Sequence, residues 1–185
     1  MRLFVSVDLP DDLADDVAAL QEEFAAAGGL DFVDPAQAHV TLKFLGDVDG
    51  DRVDELADGL DAAVADSGVA PFDAELAGLG VFPDLEYVSV LWLGVGAGSA
   101  ELSRLHDAVE SRFVTEHGFD PEDHEFTPHV TLARMKHAGG KELVQELVRE
   151  RHPEVGTVRV SAVRLTESTL TADGPEYETV RAVDL

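Results

Sequence analysis

The 185-residue chain contains no cysteine, and it has only three lysines and one tryptophan. Without cysteine there is no disulfide, no thiolate nucleophile and no zinc–thiolate site. Any chemistry must come from His, Asp, Glu, Ser, Thr, Lys or Arg. The chain also lacks the roughly 18 consecutive apolar residues that a membrane span needs. Its opening, MRLFVSVDLPDD, has neither the basic nor the apolar region of a signal peptide. We therefore expect a cytoplasmic protein that does not bind membranes.

Basic charge is scarce, with 13 Lys and Arg against 38 Asp and Glu, a formal net charge of −25. A hydrophobic fraction of 45% still indicates a folded globule. Proteins that bind nucleic acids usually carry a basic surface, so the acidity needs its own explanation. At about 1 M ionic strength the Debye length falls to about 3 Å, and distant carboxylates no longer repel a phosphate. Asp-rich runs such as residues 47–51 favour a halophilic protein, the alternative being a merely soluble acidic surface.

Hydrophobic periodicity predicts strands and helices that alternate along the chain. The predicted strands are 3–7, 39–45, 72–81, 87–93, 129–134, 157–166 and 177–183, and the predicted helices are 11–27, 52–65, 99–117 and 140–151. Corresponding features recur 84 to 90 residues apart, as with Leu3 and Tyr87 or His39 and His129. This recurrence indicates an internal duplication.

We therefore expect an α+β fold with two pseudo-symmetric lobes, roughly residues 1–84 and 85–185. Each lobe is expected to be an antiparallel sheet with helices on the outside, and the active site should lie in the cleft between the lobes. No linker rich in Pro, Gly or Ser separates them. The lobes should thus form one domain over residues 1–185, acting as a monomer.

The two predicted halves contain the same tetrad, His39-Val-Thr41-Leu and His129-Val-Thr131-Leu. In a strand, residues two apart share a face, so each His projects with its Thr while Val and Leu are buried. The His and Thr of a tetrad are then about 6.6 Å apart along the strand, at about 3.3 Å per residue. That spacing lets the imidazole reach an ester oxygen while the hydroxyl binds another oxygen of the same phosphate.

Two imidazoles on opposite sides of one phosphorus suit in-line displacement at a phosphodiester. One takes the proton from the attacking oxygen and the other gives a proton to the departing oxygen. Histidine suits both tasks because its ordinary pKa, about 6.5, leaves both protonation states populated near neutrality. The tetrads supply no carboxylate or thiolate at metal-ligand spacing, so we expect neither a metal nor any other cofactor.

The chain resembles the two-histidine phosphoesterase superfamily, and within it the RNA 2′,3′-cyclic phosphodiesterase or 2′-5′ RNA ligase family. The resemblance rests on five segments, which are MRLFVSVDLP, HVTLKFLGDV, GVFP followed by VLWLGV, TPHVTLAR and LTESTLTADGPEY. It implies metal-independent hydrolysis of RNA 2′,3′-cyclic phosphate to a 2′-phosphomonoester. It also implies that His39 is the proton donor, that His129 is the proton acceptor, and that Thr41 and Thr131 bind the phosphate. The pseudo-symmetric sequence pattern does not itself order the two histidines.

Two basic residues lie close to the tetrads on the same strands. By alternation Lys43 should share the face of His39, whereas Arg134 should not share that of His129 unless the strand bends. Both are candidates for contacts with phosphate or the RNA backbone. The alternative is a surface ion pair with one of the many carboxylates.

The other histidines and the aromatic residues are assigned mainly structural roles. His106 and His117 lie on a predicted surface helix and should be solvated or capping residues. Trp92 and Phe44 are expected in the core, although aromatic side chains also stack on the bases of single-stranded RNA.

Three functions remain open on the sequence. The first is hydrolysis at RNA ends, with reversible 2′-5′ ligation when an RNA 5′-hydroxyl replaces water. The second is a phosphodiesterase for small cyclic nucleotides or ADP-ribose cyclic phosphate, which the lack of a basic surface favours. The third is a non-catalytic protein that binds RNA ends, and the paired tetrads argue against it.

Overall fold

A computed structural model describes all residues, 1–185, and contains nine strands and four α-helices. The strands are β1 (Arg2–Asp8), β2 (Leu30–Phe32), β3 (His39–Asp47), β4 (Phe72–Pro83), β5 (Val88–Val95), β6 (His129–Met135), β7 (Glu154–Val160), β8 (Ala162–Thr171) and β9 (Gly174–Asp184). The helices are α1 (Ala14–Glu22), α2 (Val53–Ser67), α3 (Ser99–Thr115) and α4 (Lys141–Glu150). Single 3₁₀ turns lie at Asp11–Leu13, Pro35–Gln37 and Gly50–Arg52.

The predicted elements are confirmed, with three differences. The short strand β2 was not predicted, because three residues carry too little periodicity. Helix α1 is shorter than residues 11–27, since it begins after a 3₁₀ turn and ends before Gly28. The predicted strand 157–166 is two strands, β7 and β8, interrupted at Ser161. No helix is long and apolar enough to cross a membrane.

All strand pairs are antiparallel and form one curled sheet in the order β7-β4-β5-β6-β3-β1-β8-β9, with β2 along β6. The α+β class is confirmed. The two strands that carry the tetrads are neighbours at the centre, but they pair only at Val40 and Val130. They diverge from this point, so the sheet consists of two four-stranded groups on either side of a narrow seam, with β2 as a ninth strand along β6.

The outer strands are exchanged between the two halves of the chain. Strand β4 precedes residue 84 but pairs with β5, and β8 follows that residue but pairs with β1. Each four-stranded group therefore takes strands from both halves. The internal duplication stays a prediction, and its halves do not coincide with the two groups of strands.

The helices pack on one face of the sheet and close a single core of 38 buried hydrophobic residues. Helices α2 and α3 pack on each other, and α3 contacts β3, whereas α1 contacts β6. Leu42 and Leu132, the last residues of the tetrads, are fully buried on this side. The opposite face of β3 and β6 is left open to solvent.

Candidate active site

Both tetrads present their His and Thr side chains on the open face. All four residues are partly exposed, while the Val and Leu between and after them are buried. Because Val40 pairs with Val130 in an antiparallel register, His39 faces Thr131 and Thr41 faces His129. The two histidines then occupy diagonal positions, for which Cα atoms are about 7–8 Å apart. The predicted meeting of the two tetrads is therefore seen in the structure.

The two imidazoles are held in the same way. The Nδ1 atom of His39 lies 2.9 Å from the carbonyl oxygen of Gln37, and Nδ1 of His129 lies 2.7 Å from that of Thr127. Since a carbonyl can only accept, each Nδ1 carries the proton and donates it to the residue two positions earlier. This leaves each Nε2 as the atom that gains or loses a proton.

The surroundings of the two imidazoles differ. His39 packs against Phe4 and makes a T-shaped contact with Tyr177, and its Nε2 lies 3.1 Å from Oγ1 of Thr41. His129 packs against Phe82 and Trp92. Each histidine thus has its own aromatic wall, made by strands on its own side of the seam.

The pKa of both histidines lies below the ordinary 6.5, and burial is the main cause. For His39, the Gln37 carbonyl and the Asp8 carboxylate act against this shift, whereas Arg134 adds to it. For His129, the Thr127 carbonyl opposes the shift, whereas the positive charges of His39, Arg134 and His124 add to it. A nearby carboxylate therefore favours a proton on His39, and His129 has no such carboxylate.

The predicted orientation of Lys43 is wrong, whereas Arg134 meets the exception made for a strand that bends, because both strands are bulged. Strand β3 has a one-residue bulge at Leu42, since the register against β1 runs from Thr41 directly to Lys43. Strand β6 has the same irregularity at Leu132, where the register against β5 runs from Thr131 to Ala133. A bulge adds one residue and inverts the alternation beyond it.

Lys43 consequently points away from the histidines. It is 2% exposed and forms an ion pair with Glu110 of α3, and it also donates to the carbonyl of Asp120. Burial raises the pKa of Glu110, but hydrogen bonds from Lys43 and from the Glu122 backbone outweigh this and hold the pKa below its ordinary value. A phosphate contact for Lys43 does not fit this position.

Arg134, in contrast, lies on the open face. It is exposed, its charge acts on His39, His129 and Tyr177, and no carboxylate lies within ion-pairing distance. Phe44 occupies the equivalent place on β3 and is 65% exposed, so its expected core position is wrong. Trp92 is only partly buried and borders His129 instead of filling the core.

Sequence reasoning missed several residues around the histidines. Phe4, Tyr177 and Asp8 flank His39, but they come from β1 and β9 at opposite ends of the chain. Only the pairing of β1 with β8, and of β8 with β9, brings them together. His106, predicted to be solvated, is buried and stacks on Phe126.

A cleft of about 640 Å³ opens beside His39. Its polar lining includes Asp8, Gln37, Arg164, Thr166 and Tyr177. Its volume lies within the range of about 300–1,000 Å³ typical of small-molecule sites. No group of three or more His, Cys, Asp or Glu side chains is placed to hold a metal ion.

The sequence profile of the 2′-5′ RNA ligase superfamily matches residues 9–171. An RNA 2′,3′-cyclic phosphodiesterase of Aeropyrum pernix is 41% identical over 169 residues, covering 90% of this chain and 93% of the relative. The protein of the same name from Methanothermobacter thermautotrophicus is 37% identical over 181 residues, covering 96% and 95%.

Solved structures share the fold over the whole chain. A protein of Thermus thermophilus superposes with a TM-score of 0.75 at 29% identity, covering 100% of this chain and 98% of its own. E. coli LigT, crystallised with 3′-AMP, superposes with a TM-score of 0.78 at 22% identity, covering 100% and 97%.

Proposed function

Because this chain belongs to the 2′-5′ RNA ligase superfamily, we propose that it hydrolyses 2′,3′-cyclic phosphate at RNA ends to a 2′-phosphomonoester. The observation that carries the proposal is the matched pair of imidazoles. Both donate through Nδ1 to a backbone carbonyl and present Nε2 on the same open face. The names of the relatives support the substrate class.

In the proposed step, Nε2 of His129 takes a proton from water as the water oxygen attacks phosphorus. The bond from phosphorus to the 3′ oxygen breaks, and Nε2 of His39 gives its proton to that oxygen. The products are a 2′-phosphate and a 3′-hydroxyl. This order of roles agrees with the local charges, since Asp8 favours the protonated form of His39 and no carboxylate does so for His129.

Thr41, Thr131 and Arg134 are proposed to hold the phosphate. The two hydroxyls flank the seam between the histidines, and Arg134 is the cation on the same face. A guanidinium can bind two phosphate oxygens at once and stabilise the charge that develops on them. We propose that the cleft beside His39 receives the terminal nucleoside. When an RNA 5′-hydroxyl replaces water, the same step forms a 2′-5′ linkage.

The test is incubation of the purified protein with an oligonucleotide that ends in 2′,3′-cyclic phosphate, in EDTA and at low and multimolar KCl. We expect a 2′-phosphate product that persists in EDTA. His39→Ala and His129→Ala should each lower the rate by about 10²- to 10⁴-fold, the usual share of one acid or base. His152→Ala is the matched control because His152 is exposed and lies between α4 and β7, outside the tetrad strands. Unaltered activity in either tetrad variant would refute the mechanism.

A second candidate is hydrolysis of small cyclic nucleotides, which the size of the cleft and the acidic surface favour. The ratio of kcat/KM for the oligonucleotide to that for 2′,3′-cyclic AMP distinguishes the two. An RNA enzyme should prefer the oligonucleotide, whereas an enzyme for small nucleotides should show equal or greater efficiency on the mononucleotide.

A further inference from the structure

Each of the two bulges, at Leu42 and Leu132, accepts a hydrogen bond from one polar side chain of a helix on the buried side of the sheet. Nδ1 of His106, on α3, lies 2.8 Å from the carbonyl oxygen of Leu42, the bulged residue of β3. Nε2 of Gln21, on α1, lies 3.0 Å from the carbonyl oxygen of Leu132, the bulged residue of β6. The two helices thus make the same contact at equivalent places of the two tetrad strands.

Both side chains are buried, at 7% exposure for Gln21 and 6% for His106. A polar group is retained in such surroundings when it satisfies another buried polar group. A bulged residue falls outside the regular ladder, so its carbonyl takes its partners from elsewhere. The carbonyl of Leu132 accepts both from Gln21 and, at 3.1 Å, from the backbone N–H of Val33. Leu42 has no counterpart in the register with β1, and Leu132 has none in that with β5.

Gln21 and His106 each also contact the segment that precedes the histidine of the other tetrad. Gln21 makes a second hydrogen bond, 2.9 Å, to the carbonyl of Val33, in the chain that approaches His39. His106 stacks on Phe126 with ring centroids 4.1 Å apart and planes within 3°. Phe126 directly precedes Thr127, whose carbonyl receives the Nδ1 proton of His129.

We infer that Gln21 and His106 are positioning residues that hold the two bulges and thereby fix the catalytic face. Gln21 keeps Arg134 beside the histidines through Leu132, and His106 keeps Thr41 and His39 in place through Leu42. This inference rests on the proposed function for its kinetic consequences. The two residues are 85 apart in sequence, close to the 90 that separate the histidines.

The first test is a double-mutant cycle between Gln21→Met and Arg134→Met. Methionine keeps the length of glutamine but cannot donate to Leu132. We expect Gln21→Met to lower kcat/KM by about tenfold to a hundredfold, as misplacement of a reacting group by about 1 Å does. In the Arg134→Met background the same change should cost less than about threefold, because Gln21 acts through Arg134. A merely structural glutamine would give additive losses, which would overturn the inference.

The second test uses His106→Leu and His106→Gln. Leucine removes the donor to Leu42, so kcat should fall about tenfold or more, as for other misplaced reacting groups. Glutamine serves the same purpose at position 21, so His106→Gln should keep kcat within about threefold of the wild type. Val64→Ala, in the core on α2, controls for lost stability and should lower Tm without lowering kcat. Equal kcat in His106→Leu and wild type would contradict the inference.

Crystal structures of Gln21→Met and His106→Leu provide a readout that does not depend on activity. We expect the bulge to be lost or displaced in each case, with Arg134 leaving the open face in the first and Thr41 shifting in the second. Unchanged bulges would overturn the inference even if activity fell. If the wild type lacked activity while the bulges moved as expected, the proposed function would fail and the positioning role would stand.

Discussion

Lys43 and Arg134 illustrate at the scale of single residues how a bulge determines which way a side chain points. Lys43 lies four positions after His39, and Arg134 lies five positions after His129. Lys43 is nevertheless buried against Glu110, whereas Arg134 is exposed beside the histidines. We therefore expect replacement by methionine to lower mainly the stability at Lys43 and mainly the activity at Arg134.

For Lys43→Met we expect a loss of stability with little loss of activity. The change leaves the partly exposed Glu110 carboxylate without its cation, although the Glu122 N–H still donates to it, so we expect a cost of about 1–3 kcal/mol of unfolding free energy. Urea denaturation measures this loss. The variant's kcat/KM should stay within about threefold of the wild type, since Lys43 faces away from the site.

For Arg134→Met we expect the reverse. An exposed side chain without an ion pair should contribute less than about 0.5 kcal/mol to stability. Loss of a charged hydrogen bond to phosphate, about 1.5–3 kcal/mol, should lower kcat/KM by roughly 10- to 150-fold. A variant that is destabilised but fully active would show that Arg134 is structural.

The pH dependence of kcat/KM follows from the two lowered histidine pKa values. In the proposed mechanism the active free enzyme has His129 neutral and His39 protonated, and burial pulls both pKa values below 6.5. Activity should therefore peak below pH 6.5 and fall as pH rises, because His39 loses its proton. The alkaline limb of kcat should lie at higher pH, since bound phosphate favours the imidazolium. A kcat/KM optimum above pH 6.5 would contradict this prediction.

Arg134→Met offers a check on the cause of that shift. Removing a cation that lowers the pKa of both histidines should move the alkaline limb of kcat/KM to higher pH. The His152→Ala variant, measured at the same KCl concentration, should keep the profile of the wild type.

At the scale of elements, strands β4 and β5 form the wall beside His129. The indole of Trp92 lies across Gly80 of the neighbouring strand, and a Cβ at Gly80 would overlap the ring. Glycine is therefore required for this close approach. The buried Nε1 atom of Trp92 has no hydrogen-bond partner in the protein, so the ring is held by packing against Phe82 and His129.

Gly80→Ala should displace Trp92 from His129. Trp92 is the only tryptophan, so its fluorescence reports this site alone. We expect a red-shifted emission maximum from a more exposed indole, together with a lower kcat/KM. Gly50→Ala is the matched control, because a Cβ there meets no atom within 4 Å. An unchanged emission spectrum in Gly80→Ala would refute the proposed contact.

The strands and helices could be predicted from the sequence because their periodicity is local. The tetrads likewise located His39, Thr41, His129 and Thr131 on one face. The bulges at Leu42 and Leu132 could not be predicted, since alternation alone gives no sign of an inserted residue. Phe4 and Tyr177 were missed for another reason, as their approach to His39 depends on pairing between the two ends of the chain.

At the scale of the whole molecule, the exchange of outer strands ties the two groups of the sheet together. Strands β4 and β8 each leave their own half of the chain and pair with the other half. The two tetrad strands touch only at Val40 and Val130, so this exchange and the common core keep the seam at a fixed width. The two histidines therefore lie where the two groups of strands meet, and both halves of the chain contribute strands to each group.

The net charge of −25 affects the stability of the whole fold. Most of the carboxylates have no cationic partner, because 38 of them share only 13 Lys and Arg side chains. Their mutual repulsion is weaker in the expanded unfolded chain than in the folded one, so low salt destabilises the fold. Raising KCl from about 0.1 M to about 2 M shortens the Debye length from about 10 Å to below about 3 Å and removes most of that repulsion.

We accordingly predict that Tm rises by at least about 5 °C over this range, which corresponds to roughly 1–2 kcal/mol for a chain of this size. Sorbitol at matched osmolality should give a smaller rise, since it does not screen charge. A triple variant of the exposed residues Asp47, Asp49 and Asp51 to Asn should show a weaker salt dependence than the wild type. A Tm that does not change with KCl would contradict adaptation to a salt-rich environment, and the acidic surface would then serve solubility alone.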